Sequence, residues 1–209
     1  MGEKFASDPR VGMLAAHPSD CTVGIETQRA NRDSYAAMGH NWGFGLARKF
    51  WERRQPFVEA YLDLIRDKPY RHRNEKVIFK WLELCGFRGA ASSQDYVKSC
   101  ATWALGACKL STFVNLGLPI GRRGLHCTPS LFAKIGLDRT VVFDGDVRIH
   151  DLDQQQFEDI YRKSGHQVGA TAVTLAGAGA RFDRAEWARK LSAGELHPRS
   201  LLRELRAPA

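Results

Sequence analysis

No stretch of this chain is long and apolar enough to cross a bilayer, and that absence frames the rest of its reading. A spanning helix needs about 20 uninterrupted apolar residues. The best candidate, QDYVKSCATWALGACKLSTFVNLG at 94–117, is interrupted by Lys109, Ser111 and Asn115. The opening MGEKFASDPRVG has no apolar signal core, and Ala6 stands where a myristoylation signal carries Ser or Thr. Cysteine is sparse and odd in number: Cys21, Cys85, Cys100, Cys108 and Cys127. They contain no Cys-x₂-Cys pair, and the spacing of Cys100 and Cys108 does not suit zinc. Reduced core thiols are expected, in the cytoplasm or another reducing intracellular compartment.

The motifs of common chemistry are incomplete. TLAGAGARFDRAEW begins like a dinucleotide-binding turn, but Phe182 occupies the third glycine position and the helix signal at Asp183 comes too late. Asp144, Asp146, Asp151 and Asp153, with His150 among them, offer hard oxygen ligands. Their spacing departs from the calcium-loop pattern, and turn and capping roles absorb them. Cys127 follows His126 near Arg122 and Arg123, cations that lower a thiol pKa. A nucleophile also needs a base within reach, and neither His150 nor His166 is tied to it by sequence. No cofactor, no metal and no catalytic set is therefore expected, and the chain reads as a non-enzyme. A Cys/His- or Asp-cluster metal-dependent hydrolase is the distant alternative.

What is present is charge, unevenly placed. Of the formal +8, residues 1–45 contribute −1, 46–75 contribute +3, 76–130 contribute +5 and 131–209 contribute +1. The basic excess sits in the helical middle, where a polyanion footprint could be held rigidly. Arg48, Lys49, Arg53, Arg54, Arg71, Arg73, Arg122 and Arg123 are its candidate residues, with Phe50, Trp51, Tyr70 and Phe87 interleaved.

The pattern predicts a mainly α, α+β fold in three portions: an extended arm (1–45), a helical core (46–136), and a β-hairpin with C-terminal helices packed on it (137–209). Residues 1–45 show no lasting 2- or 3.6-residue period, and GHNWGFG sets Trp42 and Phe44 between glycines as docking anchors. LARKFWERR reads as a basic helix that Pro56 kinks or restarts. Asn74 caps a helix with Ile78, Trp81, Leu82 and Cys85 inward and Gly86 at its end. Ser92 or Ser93 caps the stretch at 94–117, read as one central core helix with Val97, Ala101, Ala104, Cys108, Ser111 and Asn115 on a stripe. RTVVF-DG-DVRIH is the strongest β signal, a two-residue hairpin turning at Asp144-Gly145. Asp151 or Asp153 caps a helix through Tyr161, TAVTL suits a third strand, Asp183 and Glu186 form a capping box, and Pro198 opens a last helix.

The function expected is a basic subunit of a larger assembly. Residues 1–45 would dock on other protein subunits, and the helical middle would contact a DNA or RNA backbone through phosphates. The FRGAASS linker is too long for a helix-turn-helix reader, so base readout is not expected. A purely protein–protein scaffold is the competing reading.

Overall fold

A computed structural model describes residues 2–41, 43–87, 89–119, 121–122, 127–168, 189–190, 193, 195 and 197–204. A small mixed sheet organises them. Its strands are β1 (Val11–Ala15), β2 (Tyr35–Ala37), β3 (Phe44–Gly45) and β4 (Cys108–Thr112), in the order β2–β4–β1–β3. The central pair is parallel, with Val11 opposite Cys108 and Leu14 opposite Leu110. β2 and β3 run antiparallel along the two edges. All five residues of β4 are buried, as befits a strand covered on both faces.

The helices are α1 (Gly2–Phe5), α2 (Ile25–Ala30), α3 (Arg48–Ile65), α4 (Glu75–Leu84), α5 (Gln94–Ala104), α6 (Pro129–Lys134), α7 (Gln154–Gln167) and α8 (Leu201–Glu204). On one face of the sheet, Ile160 and Tyr161 of α7 pack with Val11, Cys108 and Leu110. The other face receives α3 and α5 so closely that a Cβ on Gly12 would lie 2.6 Å from both Phe50 and Thr102. Beyond them, α4 completes an aromatic core in which the Phe57 ring stands edge-on to Trp81 at 5.6 Å and to Phe87 at 6.2 Å. The α+β class and the helical bias are as the sequence implies.

Capping follows the side chains. Asn74 accepts from Val77 N–H at 3.3 Å, Ser93 from Tyr96 N–H at 3.2 Å, and Asp153 forms a full capping box with Gln156. Gly86 takes φ +84° at the end of α4. Pro56 does not open a new helix; α3 runs through it. The suggested strand TAVTL and the box at Asp183 and Glu186 lie outside the described residues.

Three expectations are corrected. The central helix stops at Ala104, because Gly106 adopts φ +73° and closes a Schellman motif, with Ala107 N–H on Thr102 C=O and Gly106 N–H on Trp103 C=O. The chain leaves this turn as β4 rather than as helix. The predicted stripe is nevertheless buried throughout, since Val97, Ala101, Ala104, Cys108, Ser111 and Asn115 are each at most 1% exposed.

Residues 1–45 are not an arm. Their short strands make three of the four members of the sheet, and those strands pair with β4 and with each other. Two- to five-residue strands are too short to leave a visible alternation, and a docking role that presumed a free arm loses its premise.

The hairpin at 140–150 does not form. Val141 N–H donates to Cys21 C=O, Phe143 N–H to Asn115 C=O, and His150 N–H to the Tyr35 hydroxyl. Two buried amides staple this strap down: Gln28 Nε2 and Asn115 Nδ2 both donate to Val141 C=O, at 2.8 and 3.1 Å.

Candidate anion site and a buried serine–lysine pair

α3 begins without a side-chain cap and without an acidic residue in its first turn, so its positive end is not neutralised from within. Ala47, Lys49, Phe50 and Arg53 of this end face Ala6, Ser7, Asp8, Pro9 and Val11 across a cleft of about 190 Å³. Lys49 and Arg53 stand one turn apart. Lys49 is exposed and enters no ion pair among the described residues. Arg53 is half-buried, donates to Leu105 C=O at 3.2 Å, and lies 5.9 Å from the Phe50 ring centroid. Asp8 is the one acid lining the cleft among the described residues, and it is committed elsewhere. Arg10 donates to it from Nη2 at 2.8 Å and from its backbone N–H at 2.9 Å, which holds the carboxyl below its ordinary pKa. Its charge is thus met by Arg10, while the Lys49 ammonium stays available to an anion.

The other predicted basic residues do not join this cleft. Arg48 is exposed, and its Nε pairs with Glu52 at 3.1 Å. Arg54 falls on the core stripe of α3 with Phe50, Phe57 and Tyr61 and is fully buried. Among the described residues none of its guanidinium nitrogens has a hydrogen-bond partner; Trp51 supplies a ring 5.4 Å away. Desolvation draws its pKa down to about 10, so it stays charged at neutral pH but cannot meet a phosphate. Arg71 is exposed in a 3₁₀ turn (Tyr70–His72), beyond the far end of a helix about 27 Å long. Arg73 is held by Ser92, Tyr70 C=O and Glu75, and stacks 4.2 Å from the Tyr70 ring centroid. Arg122 is exposed over Phe132, and Arg123 lies outside the described residues.

The acid cluster is likewise dispersed. Asp153 caps α7, Asp151 pairs with Lys4 at 3.1 Å, and His150 stacks on Tyr35. Among the described residues no three His, Cys, Asp or Glu side chains are gathered as a metal site. Cys127 packs against the small cluster of Cys21, Phe132 and Leu137. All five cysteines are free thiols, four of them buried.

Sequence reasoning missed one arrangement. The turn at Gly106 folds β4 back beneath α5 and sets Lys109 under Ser99. Lys109 is 4% exposed and Ser99 7% exposed. Lys109 Nζ donates to Ser99 Oγ at 3.0 Å, and Ser99 Oγ donates to Asp95 C=O at 2.9 Å. Burial lowers the Lys109 pKa to about 8, against an upward pull from Asp95 and Cys100. On an unbroken helix these two residues would be ten apart, about 80° around the helix and about 15 Å along its axis, too far to touch. Reading Gly106 as a helix end was the signal that would have joined them.

No protein-family model matches the chain, and comparison with curated proteins and with solved structures finds none similar to it.

Proposed function

We propose that the protein binds polyanions, nucleic acid foremost, through phosphate contacts centred on the cleft at the start of α3. One observation carries this reading. Lys49 and Arg53 line a single concavity at an uncapped helix start, where the carboxylate of Asp8 is already neutralised by Arg10. Phosphate oxygens suit such a place, because they accept from Lys, Arg and backbone N–H groups together. The contacts expected are with backbone phosphates rather than bases, since the cleft offers cations and helix-start N–H groups.

Fluorescence anisotropy with random single- and double-stranded oligonucleotides, titrated with salt, tests the reading. Affinity falls steeply with salt, and Lys49→Glu or Arg53→Gln each flattens the log–log slope by roughly 0.7–0.9. Arg122→Gln, outside the lining of the cleft, leaves the slope unchanged. Binding indifferent to the first two substitutions would leave a protein–protein scaffold as the better account.

A further inference from the structure

Lys109 poses a question that packing alone does not answer. An ammonium at the centre of a sheet, on a strand buried on both faces, is normally paired with a carboxylate. Here its hydrogen-bond partner is a hydroxyl. Asp95, the carboxylate whose charge acts on Lys109, is engaged by Lys98 at 3.5 Å. A methionine would fill the same space without the desolvation cost. What lysine adds at such a position is a proton-accepting amine within reach of an oxygen nucleophile.

We propose that Ser99 and Lys109 form a nucleophile–base pair that transfers acyl groups from small carboxylic esters. Lys109 Nζ lies 3.0 Å from Ser99 Oγ, inside the about 2.6–3.2 Å between heavy atoms that a base needs. The charged ammonium donates to Oγ while the hydroxyl donates to Asp95 C=O, and in the neutral state the hydroxyl turns from that carbonyl to the amine. A third group stands close by. Asn41 Nδ2 donates, at 3.4 Å, to the same Asp95 carbonyl oxygen that Ser99 Oγ donates to. The Asn41 Oδ1 is buried and has no hydrogen-bond partner among the described residues. An amide beside the serine hydroxyl can turn its N–H toward an oxyanion. Ser99 is 7% exposed as a residue, so an ester must be small to reach its Oγ, and local opening of the helix surface would precede the reaction.

The step balances with these residues alone. Neutral Lys109 accepts the Ser99 hydroxyl proton as Oγ bonds the ester carbonyl carbon and the carbonyl electron pair moves to oxygen. The tetrahedral adduct collapses, the bond to the alkoxy group breaks, and Lys109 returns the proton to that leaving alcohol. Water then attacks the serine ester, Lys109 takes a proton from it, and the departing Ser99 oxygen recovers that proton as the carboxylic acid is released.

The titratable groups acting on Lys109 come from α5: Asp95, itself paired with Lys98, and Cys100, a thiol that burial keeps protonated. From β1 and the segment after β2 the neighbours are Met13 and Met38, which do not titrate. The base is therefore neutral in a growing fraction as pH rises past about 8.

A small phosphonofluoridate, read by intact mass and peptide mapping, tests the pair on the full-length protein. The expected result is one adduct on Ser99, forming faster between pH 7 and 9. Lys109→Met slows it by about 100-fold or more, the range a general base supplies. Ser99→Ala removes it, and Ser111→Ala, on the same strand as Lys109, leaves it unchanged. Thermal melts accompany the series, because Lys109→Met conserves volume and keeps the fold, so that lost labelling reports chemistry. No adduct on Ser99 at pH 9, or an unchanged rate in Lys109→Met, overturns the proposal.

Discussion

Replacing Lys109 by methionine should make the protein more stable at neutral pH, and the gain should vanish in alkali. In the fold the Lys109 pKa is lowered from 10.5 to about 8. At about 1.4 kcal/mol per unit, holding the ammonium in the sheet costs roughly 3 kcal/mol below pH 8. Methionine forfeits the hydrogen bond to Ser99 Oγ, worth about 1 kcal/mol, and conserves volume. The net expectation is about 2 kcal/mol of stabilisation at pH 7, or roughly 4–8 °C in melting temperature for a chain of this size. The sign comes from proton counts. Between pH 8 and 10.5 the unfolded lysine holds more proton than the folded one, so wild-type stability climbs as pH rises through that window. The variant lacks this climb. Urea denaturation of both proteins at pH 7 and pH 10 measures it, with the m-values required to agree. A gap of equal size at the two pH values, or a variant less stable at pH 7, refutes the assignment of Lys109 as a strained buried cation.

Arg54→Met should also stabilise, by roughly 1–3 kcal/mol in denaturant melts, because it removes a buried guanidinium with no hydrogen-bond partner among the described residues. The same variant should bind oligonucleotides as wild type does; a weakened affinity would return Arg54 to the phosphate site. Gly106→Ala should cost about 1–2 kcal/mol by calorimetry from its φ of +73° alone, since no atom lies within 4 Å of the added methyl. Gly106→Asn should recover part of that loss, as asparagine tolerates the left-handed region. Deletion of residues 1–40 removes β1 and β2 and strips β4 of both neighbours. Circular dichroism and gel filtration should then show loss of cooperative folding rather than an intact helical core.

The helices were legible where a capping side chain or a terminal glycine coincided with a 3.6-residue apolar stripe. Asn74 to Gly86 is the clearest instance, because both ends and the face of α4 are written locally. The sheet was not, for two physical reasons. β3 has two residues and β2 three, so their pattern holds too few positions to repeat. β4 is buried on both faces, so Cys108–Thr112 shows continuous burial instead of alternation and prolongs the apolar face of α5. The strap at 140–150 carries a true β pattern, but Gln28 and Asn115 offer it buried amide partners from distant segments, which no local signal reports. At the α3 cleft, Lys49 and Arg53 were named by charge alone. Arg54 was misassigned because its charge outweighed its place in the i, i+4, i+7 row of Phe50, Arg54 and Phe57. Ser99 and Lys109 become neighbours only through the turn at Gly106.

The parallel pairing of β1 with β4 also sets an order of events during synthesis. Val11 waits for Cys108, 97 residues later, before its strand acquires this central partner. At about 5–20 residues per second, β1 spends roughly 5–20 s without that partner while α3, α4 and α5 are being made. Those helices can gather their aromatic core locally, but the sheet must close last, with the loop entropy of the whole intervening chain set against it. The slowest folding phase should therefore be the arrival of β4 between β1 and β2. Until it arrives, the apolar residues of VGMLA are the segment a chaperone has most reason to hold.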